Sequence, residues 1–215
     1  MKQLITSLLL LGVACTQIQA QEQIPSASQS ESREQTLSYD FLYKNNLKVT
    51  VLSLFSGSTK LTYERVIRQN GTHMANSLEI TGGVIGWGGD RLNHNRSQGG
   101  LCRLAYKFIF NPVKYRRTFP QGHLMNGFYL KPEAAFSSFS YEAKEGGERL
   151  HNNRLALMGC LGYQWVCHRF VFDIFGGLGA GIGDENEYNY YHGFIALPKG
   201  SPTAFTAGFK LGVAF

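Results

Sequence analysis

The sequence predicts an all-β chain: a closed antiparallel up-and-down β-barrel of eight strands that crosses a membrane. Three observations predict it. Apolar residues alternate with small or polar ones at period 2 over several segments longer than ten residues, whereas strands of water-soluble proteins average nearer ~5–6 residues. Within those segments most of the charged residues fall opposite the apolar face. Composition agrees, since only 17% of the 215 residues are charged, 13% are aromatic and 25 are glycine, against roughly 25% charged in an ordinary soluble domain. A mean hydropathy of −0.17 excludes a bundle of spanning helices, and no later apolar run approaches the roughly 20 residues that one such helix needs.

The elements follow in chain order. Met1-Lys2, the apolar stretch Leu8 to Ala14 and Ile18-Gln19-Ala20 read as a secretory signal peptide over 1–20, cleaved near Ala20 and too short to span a bilayer. Val13-Ala14-Cys15 also resembles the end of a lipobox, with Gly12 where leucine is usual, so lipidation of Cys15 stays open as the rival reading. Residues 21–46, rich in Gln, Ser and Glu, bury too little to offset ordering entropy and read as a flexible periplasmic leader. The barrel is expected over 47–215. The leader carries Arg33 and Lys44 against Glu22, Glu31, Glu34 and Asp40, so the +6 excess of the whole chain belongs to the barrel. In an exported protein a basic surface points to acidic lipid head groups or polysaccharide rather than nucleic acid.

Strands are predicted over 47–55, 59–68, 74–88, 98–110, 126–142, 154–167, 169–183 and from 205 to the end. The first pair is the least clean, and 47–67 also reads as one irregular strand. The last strand alternates best: Phe205, Ala207, Phe209, Leu211, Val213 and Phe215 share one face. In 126–142 the apolar face runs through Phe128, Leu130, Ala134 and Phe136 and then shifts to Phe139 and Tyr141, which predicts a bulge. Cys160 and Cys167 fall in one strand, roughly 23 Å apart at ~3.3 Å per residue, too far to bridge. With Cys102 they form an odd set without a CxxC pair, and they read as small apolar residues.

Alternation alone does not say which face is outside; the charges do. Glu64, Glu79, Arg103, Lys107, Lys131, Glu133, Asp173 and Lys210 all lie opposite the apolar set of their strands. Lipid would leave each of them costing several kcal/mol, whereas a narrow interior pairs and hydrates them. They are therefore expected to form an interior charge network of four acids and four bases. A soluble ligand-binding barrel predicts the reverse arrangement. Eight strands leave a lumen only wide enough for side chains, so no open pore is expected. Tyr63, Trp87, Tyr106, Tyr141, Tyr163 and Trp165 sit near strand ends, where girdles form. With the N-terminus in the periplasm the outer connections are 56–58, 89–96, 143–152 and 184–202. Most of them are longer than the periplasmic ones, with 111–125 as the exception.

Three further segments carry a family resemblance: Tyr63-Glu64-Arg65, Gly127-Phe128-Tyr129-Leu130-Lys131-Pro132, and the terminal Phe209-Lys210-Leu211-Gly212-Val213-Ala214-Phe215. With the signal peptide, they make the chain similar to the small eight-stranded outer-membrane β-barrel proteins of Gram-negative bacteria, OmpA/OmpX-like in the broad sense, over about 47–215. The resemblance implies an outer-membrane location, no cofactor, and contact with outer-membrane lipids and lipopolysaccharide. It also implies that Phe209, Leu211, Val213 and Phe215 form a signal read by the barrel-assembly machinery. Many members lack an assigned function, so the resemblance implies location and fold more than activity.

Candidate chemistry is sparse. The histidines at 73, 94, 123, 151, 168 and 192 lie in predicted connections and do not converge as the three or four ligands of a metal site must. His94 with Asp90, or His192 with Asp184, Glu185 and Glu187, reads as rim decoration, and no metal is expected. Loop 184–202 carries Tyr188, Tyr190, Tyr191 and His192, low-entropy contact groups that suit an extracellular ligand of unknown identity. An enzyme reading stands beside the structural or surface-interaction role. Ser137, Ser138 and Ser140 approach the outer end of one strand, with Glu142 and His151 after them, the residue types of a lipid A deacylase or acyltransferase. Gly176-Gly177-Leu178-Gly179-Ala180-Gly181 lacks the strand and helix context of a phosphate loop.

Overall fold

Each segment that alternates at period 2 is a strand, because in that conformation alone its apolar residues share one face. The computed structural model describes residues 43–55, 57–70, 74–87, 96–110, 123–142, 147–167, 169–184 and 202–215. The signal peptide, Cys15, the leader as far as residue 42 and the loop residues Tyr188, Tyr190, Tyr191 and His192 lie outside them. The strands are β1 (Asn45–Thr50), β2 (Ser58–Asn70), β3 (Met74–Ile85), β4 (Gln98–Phe110), β5 (Gly127–Glu142), β6 (Arg149–Cys167), β7 (Phe170–Gly183) and β8 (Thr203–Ala214). Each pairs antiparallel with its neighbour in sequence, and β8 returns to β1 from Asn46↔Ala214 to Thr50↔Lys210. The sheet closes as the predicted eight-stranded barrel.

Three expectations are corrected. The predicted first strand over 47–55 starts at Asn45 and stops at Thr50, where a single-turn helix α1 (Val51–Phe55) takes over. The Ser53 hydroxyl donates to the Thr50 carbonyl at 2.6 Å inside that turn, and Gly57, at φ 70°, reverses the chain into β2. The predicted bulge of the fifth strand is absent. The β5–β6 register runs unbroken from Gly127↔Gln164 to Glu142↔Arg149, and the register shift lies in the β2–β3 ladder between Val66 and Arg68. Phe139 and Tyr141 therefore point into the barrel, 1% and 3% exposed, so Tyr141 belongs to no girdle. Finally, β6 begins at Arg149 rather than 154, which lengthens the β5–β6 hairpin.

The outward face has a sharp polar boundary. On β4, β5 and β6 the register sets Cys102, Phe136 and Leu155 in one row, Gly100, Ser138 and Asn153 in the next, and Gln98, Ser140 and His151 above that. Below the first row the outward residues of β5 and β6 include Leu130, Phe128, Leu157, Leu161 and Trp165, 40–64% exposed. From Leu155 to Trp165 is ten residue steps. At ~3.3 Å per step and ~40° of tilt the rise is about 25 Å, the height of an outer-membrane apolar band. At the end of the barrel that holds Asn45 and Phe215, outward rings lie against one another around β4 to β8. Phe110–Phe128, Tyr163–Trp165, Trp165–Phe172 and Phe172–Phe209 have centroids 6.2, 4.4, 5.5 and 5.8 Å apart.

The lumen is layered. Around Ile85, Leu101, Phe139, Tyr141 and Met158 lies a buried apolar cluster near the loop-bearing end. A second, with Val66, Ile109, Leu124, Met125, Tyr129 and Phe175, lies near the end that holds the chain's last residue. Most of the charged residues lie between them, and Lys60 shares a row with Leu101 of the first.

Candidate functional site

Every one of the eight predicted interior charges is inside. Glu64, Glu79, Lys107, Lys131, Asp173 and Lys210 are 0–2% exposed, Glu133 4% and Arg103 7%. The strands deliver them at neighbouring heights because Glu64 faces Glu79 across β2–β3 and Asp173 faces Lys210 across β7–β8.

Glu79 is the hub. One of its oxygens receives Lys131 at 3.0 Å and Lys210 at 2.7 Å, the other Lys48 at 3.0 Å and Lys107 at 3.2 Å. Below it, Lys48 also reaches Glu64 at 2.6 Å and Asp173 at 2.8 Å, and Lys107 reaches the same two at 3.3 and 3.0 Å. Gln164 Oε1 accepts from both lysines at 3.2 and 2.9 Å. Above the hub, Lys131 continues to Glu133 at 2.7 Å and Glu133 to Arg103 at 2.9 Å. Tyr129 donates its hydroxyl to Asp173 at 2.5 Å and offers its ring to Lys107 at 4.1 Å from the centroid. That ring lies over Gly162, where a Cβ would overlap it.

Lys48, Lys60, Tyr129 and Gln164 belong to this interior and were not among the residues predicted for it. The signal was present. Lys48 alternates with Leu47 and Val49, and Lys60 shares the parity of Glu64 on the same strand.

Glu64, Glu79 and Asp173 bring carboxylate oxygens within 4.8 Å of one another, the donor set of a metal centre. Both the Lys48 and the Lys107 ammonium groups touch all three, so lysines stand where a cation would.

Beneath the network the chain closes the bore itself. Turn 123–126 inserts Leu124 and Met125, 3% and 0% exposed. Asn46 Nδ2 donates to the Met125 sulfur at 3.1 Å, and the Met125 amide donates to His123 Nδ1 at 3.2 Å. Burial pushes His123 down to about 4, against the pull of Glu64. A protonated ring would lose the bond that Nδ1 accepts.

The candidate catalytic residues divide. Ser137 points inward and is fully buried. Ser138 and His151 face outward on β5 and β6, with Ser138 Oγ 3.2 Å from His151 Nε2. Glu142 faces Arg96 at 3.7 Å. Two residues below Ser138, the small side chains of Cys102 and Ala134 leave a shallow hollow of about 290 Å³ between Ile80, Leu104, Phe136 and Leu155. Of the predicted assembly signal, Phe209, Leu211 and Val213 face outward on β8, and Phe215 is 56% exposed.

No family model and no curated protein matches the chain. Among solved structures, the N-terminal β-barrel domain of Pseudomonas aeruginosa OprF is similar at 12% identity and a TM-score of 0.44, over 81% of this chain and 98% of that one.

Proposed function

We propose that the chain is an outer-membrane β-barrel with a sealed lumen, whose role is structural or one of surface interaction. The observation that carries the reading is the inversion of polarity. Leucine, isoleucine and phenylalanine coat the outside over a band of membrane height, while lysine and glutamate are buried in the middle. In water that arrangement forfeits the hydrophobic effect and keeps the cost of desolvating the charges; in lipid the apolar coat is solvated, and a charge facing outward would cost more than one paired in the lumen. The N-terminal signal supports export, and placing the last residue's end in the periplasm puts most of the long connections outside. Cell fractionation combined with gel migration tests it. Protein in the outer-membrane fraction whose unboiled band runs apart from its boiled band agrees, and soluble release without detergent overturns it.

A second reading rests on the Ser138–His151 pair, which sits at the polar edge directly above the apolar hollow. An acyl chain in that hollow would bring its ester to Ser138. The serine oxygen would attack the ester carbonyl, His151 would take the serine proton and pass it to the leaving alcohol, and water would then release the acid. Ester hydrolysis on phospholipid or lipid A in mixed micelles, abolished in both Ser138→Ala and His151→Ala while migration stays native, supports it. A wild-type protein that releases no fatty acid overturns it.

A further inference from the structure

Above the ionic ladder the lumen holds a basic side chain that no acid on its walls pairs with. Among the described residues the buried charged side chains are Lys48, Lys60, Arg103, Lys107, Lys131 and Lys210 against Glu64, Glu79, Glu133 and Asp173, six bases to four acids. The excess is localised. Lys60 points inward from β2, 9% exposed, and among the described residues its ammonium forms no ion pair or hydrogen bond. The charges it senses are two cations, Arg103 and Lys210, and one acid, Glu133. That acid is already taken by Arg103 Nη1 and by Lys131. Arg103 is itself only half used. Its Nη1 meets Glu133 at 2.9 Å and Thr206 Oγ1 at 3.5 Å, while its buried Nε has no partner.

The opposite wall is lined by small residues. Thr206 pairs across β7–β8 with Gly177, and the lumen-facing positions of β7 continue through Gly179 and Gly181, which put no side chain into the bore. Holding a charged ammonium beside two cations in a narrow, poorly hydrated interior is costly, and a counter-anion relieves that cost. The geometry also selects the kind of anion. The Nε edge of a guanidinium presents parallel N–H groups that match two oxygens of one planar or tetrahedral group, and an ammonium supplies a third donor.

We propose that Lys60, Arg103 and Thr206 form a binding site for a single oxyanion, a phosphate or carboxylate, in the loop-side half of the lumen. The site belongs to the barrel interior and depends on neither reading of the outer Ser138–His151 pair. Its occupant has two sources, free phosphate from the medium or the phosphate of a lipid head group at the rim.

The test is titration calorimetry of the full chain in nonionic micelles, with inorganic phosphate at constant ionic strength. Saturable binding of one equivalent is expected, weakened at least tenfold in Lys60→Gln. Glu133→Gln removes the acid that competes for Arg103 and is expected to bind several-fold more tightly, a gain that damage to the fold does not mimic. Unboiled gel migration verifies that both variants are folded. If free phosphate gives no heat, the titration is repeated with phosphatidylglycerol in the micelles, and binding there that depends on Lys60 assigns the head group. Failure of both probes, equal binding to Lys60→Gln, or the same response to chloride overturns the site.

Discussion

Glu79 concentrates the energetics of the lumen in one carboxylate. Lys48, Lys107, Lys131 and Lys210 converge on it from four strands, so removing its charge takes one carboxylate from four buried ammonium groups at once and leaves Lys210 without the acid it pairs with. Breaking one partner of a buried pair costs about 3–5 kcal/mol, and Glu79→Gln is expected to fall in that range in urea unfolding from micelles. Glu142→Gln, which breaks only the exposed contact with Arg96, is expected to leave the midpoint nearly unchanged. His123 makes a pH-dependent counterpart. Its folded value, about 4, lies below the ordinary 6.5, so the unfolded chain binds the proton first on acidification. The contribution of the closing turn is complete above pH 6.5 and is lost as pH falls toward 4, by up to about 1.4 kcal/mol per pH unit. Following the His123 ring proton by NMR checks the low titration point, and His123→Gln is expected to flatten stability across that window.

At the scale of the strand, the β5–β6 hairpin shows where the sequence was legible and where it misled. Leu155, Leu157, Leu161, Tyr163 and Trp165 all face out as their parity requires, because the contrast between the two faces keeps one sign over that height. The apparent shift at Phe139 and Tyr141 looked like an inserted residue. The register is unbroken, and what changes is the surroundings. Above the row of Phe136 and Leu155 the outside becomes polar with Ser138, Ser140 and His151, and the inside becomes the apolar cluster of Phe139, Tyr141 and Ile85. A period-2 pattern records contrast between two faces, so a change of solvent along the strand reads the same as a slip of one residue. α1 was hidden for a different reason: five residues are too few for a helical period to show against alternation. The boundary gives a prediction at this scale. Leu161→Arg, in mid-band, is expected to cost about 2–4 kcal/mol and Asn153→Arg, one row above Leu155 and the boundary, about 0–1. Equal costs in reversible unfolding from lipid vesicles would remove the boundary from where the register puts it.

For the whole molecule, closure and polarity together decide what passes through it. Eight strands enclose a bore about as wide as its own side chains, and in this chain the bore is crossed three times. The apolar cluster around Phe139 fills one end, the ladder from Arg103 to Asp173 ties opposite walls together in the middle, and Leu124 and Met125 close the end nearest Asn45. Alternation and the parity of the charges make the inside-out barrel readable in the sequence. The turn at 123–126 that stoppers it was not readable, because a connection carries no period and its burial is decided by the strands around it. An ion passing right through the bore would have to part buried apolar side chains and displace an ammonium from three carboxylates, two costs that add. Planar-bilayer recordings of the purified chain are therefore expected to show no stable unitary conductance. Shortening the stopper alone, as in Leu124→Gly with Met125→Gly, is expected to leave the membrane silent because the lysine-filled layer above remains. Steady single-channel steps from the wild-type chain would mean that these layers open together, and the sealed-lumen reading would be lost.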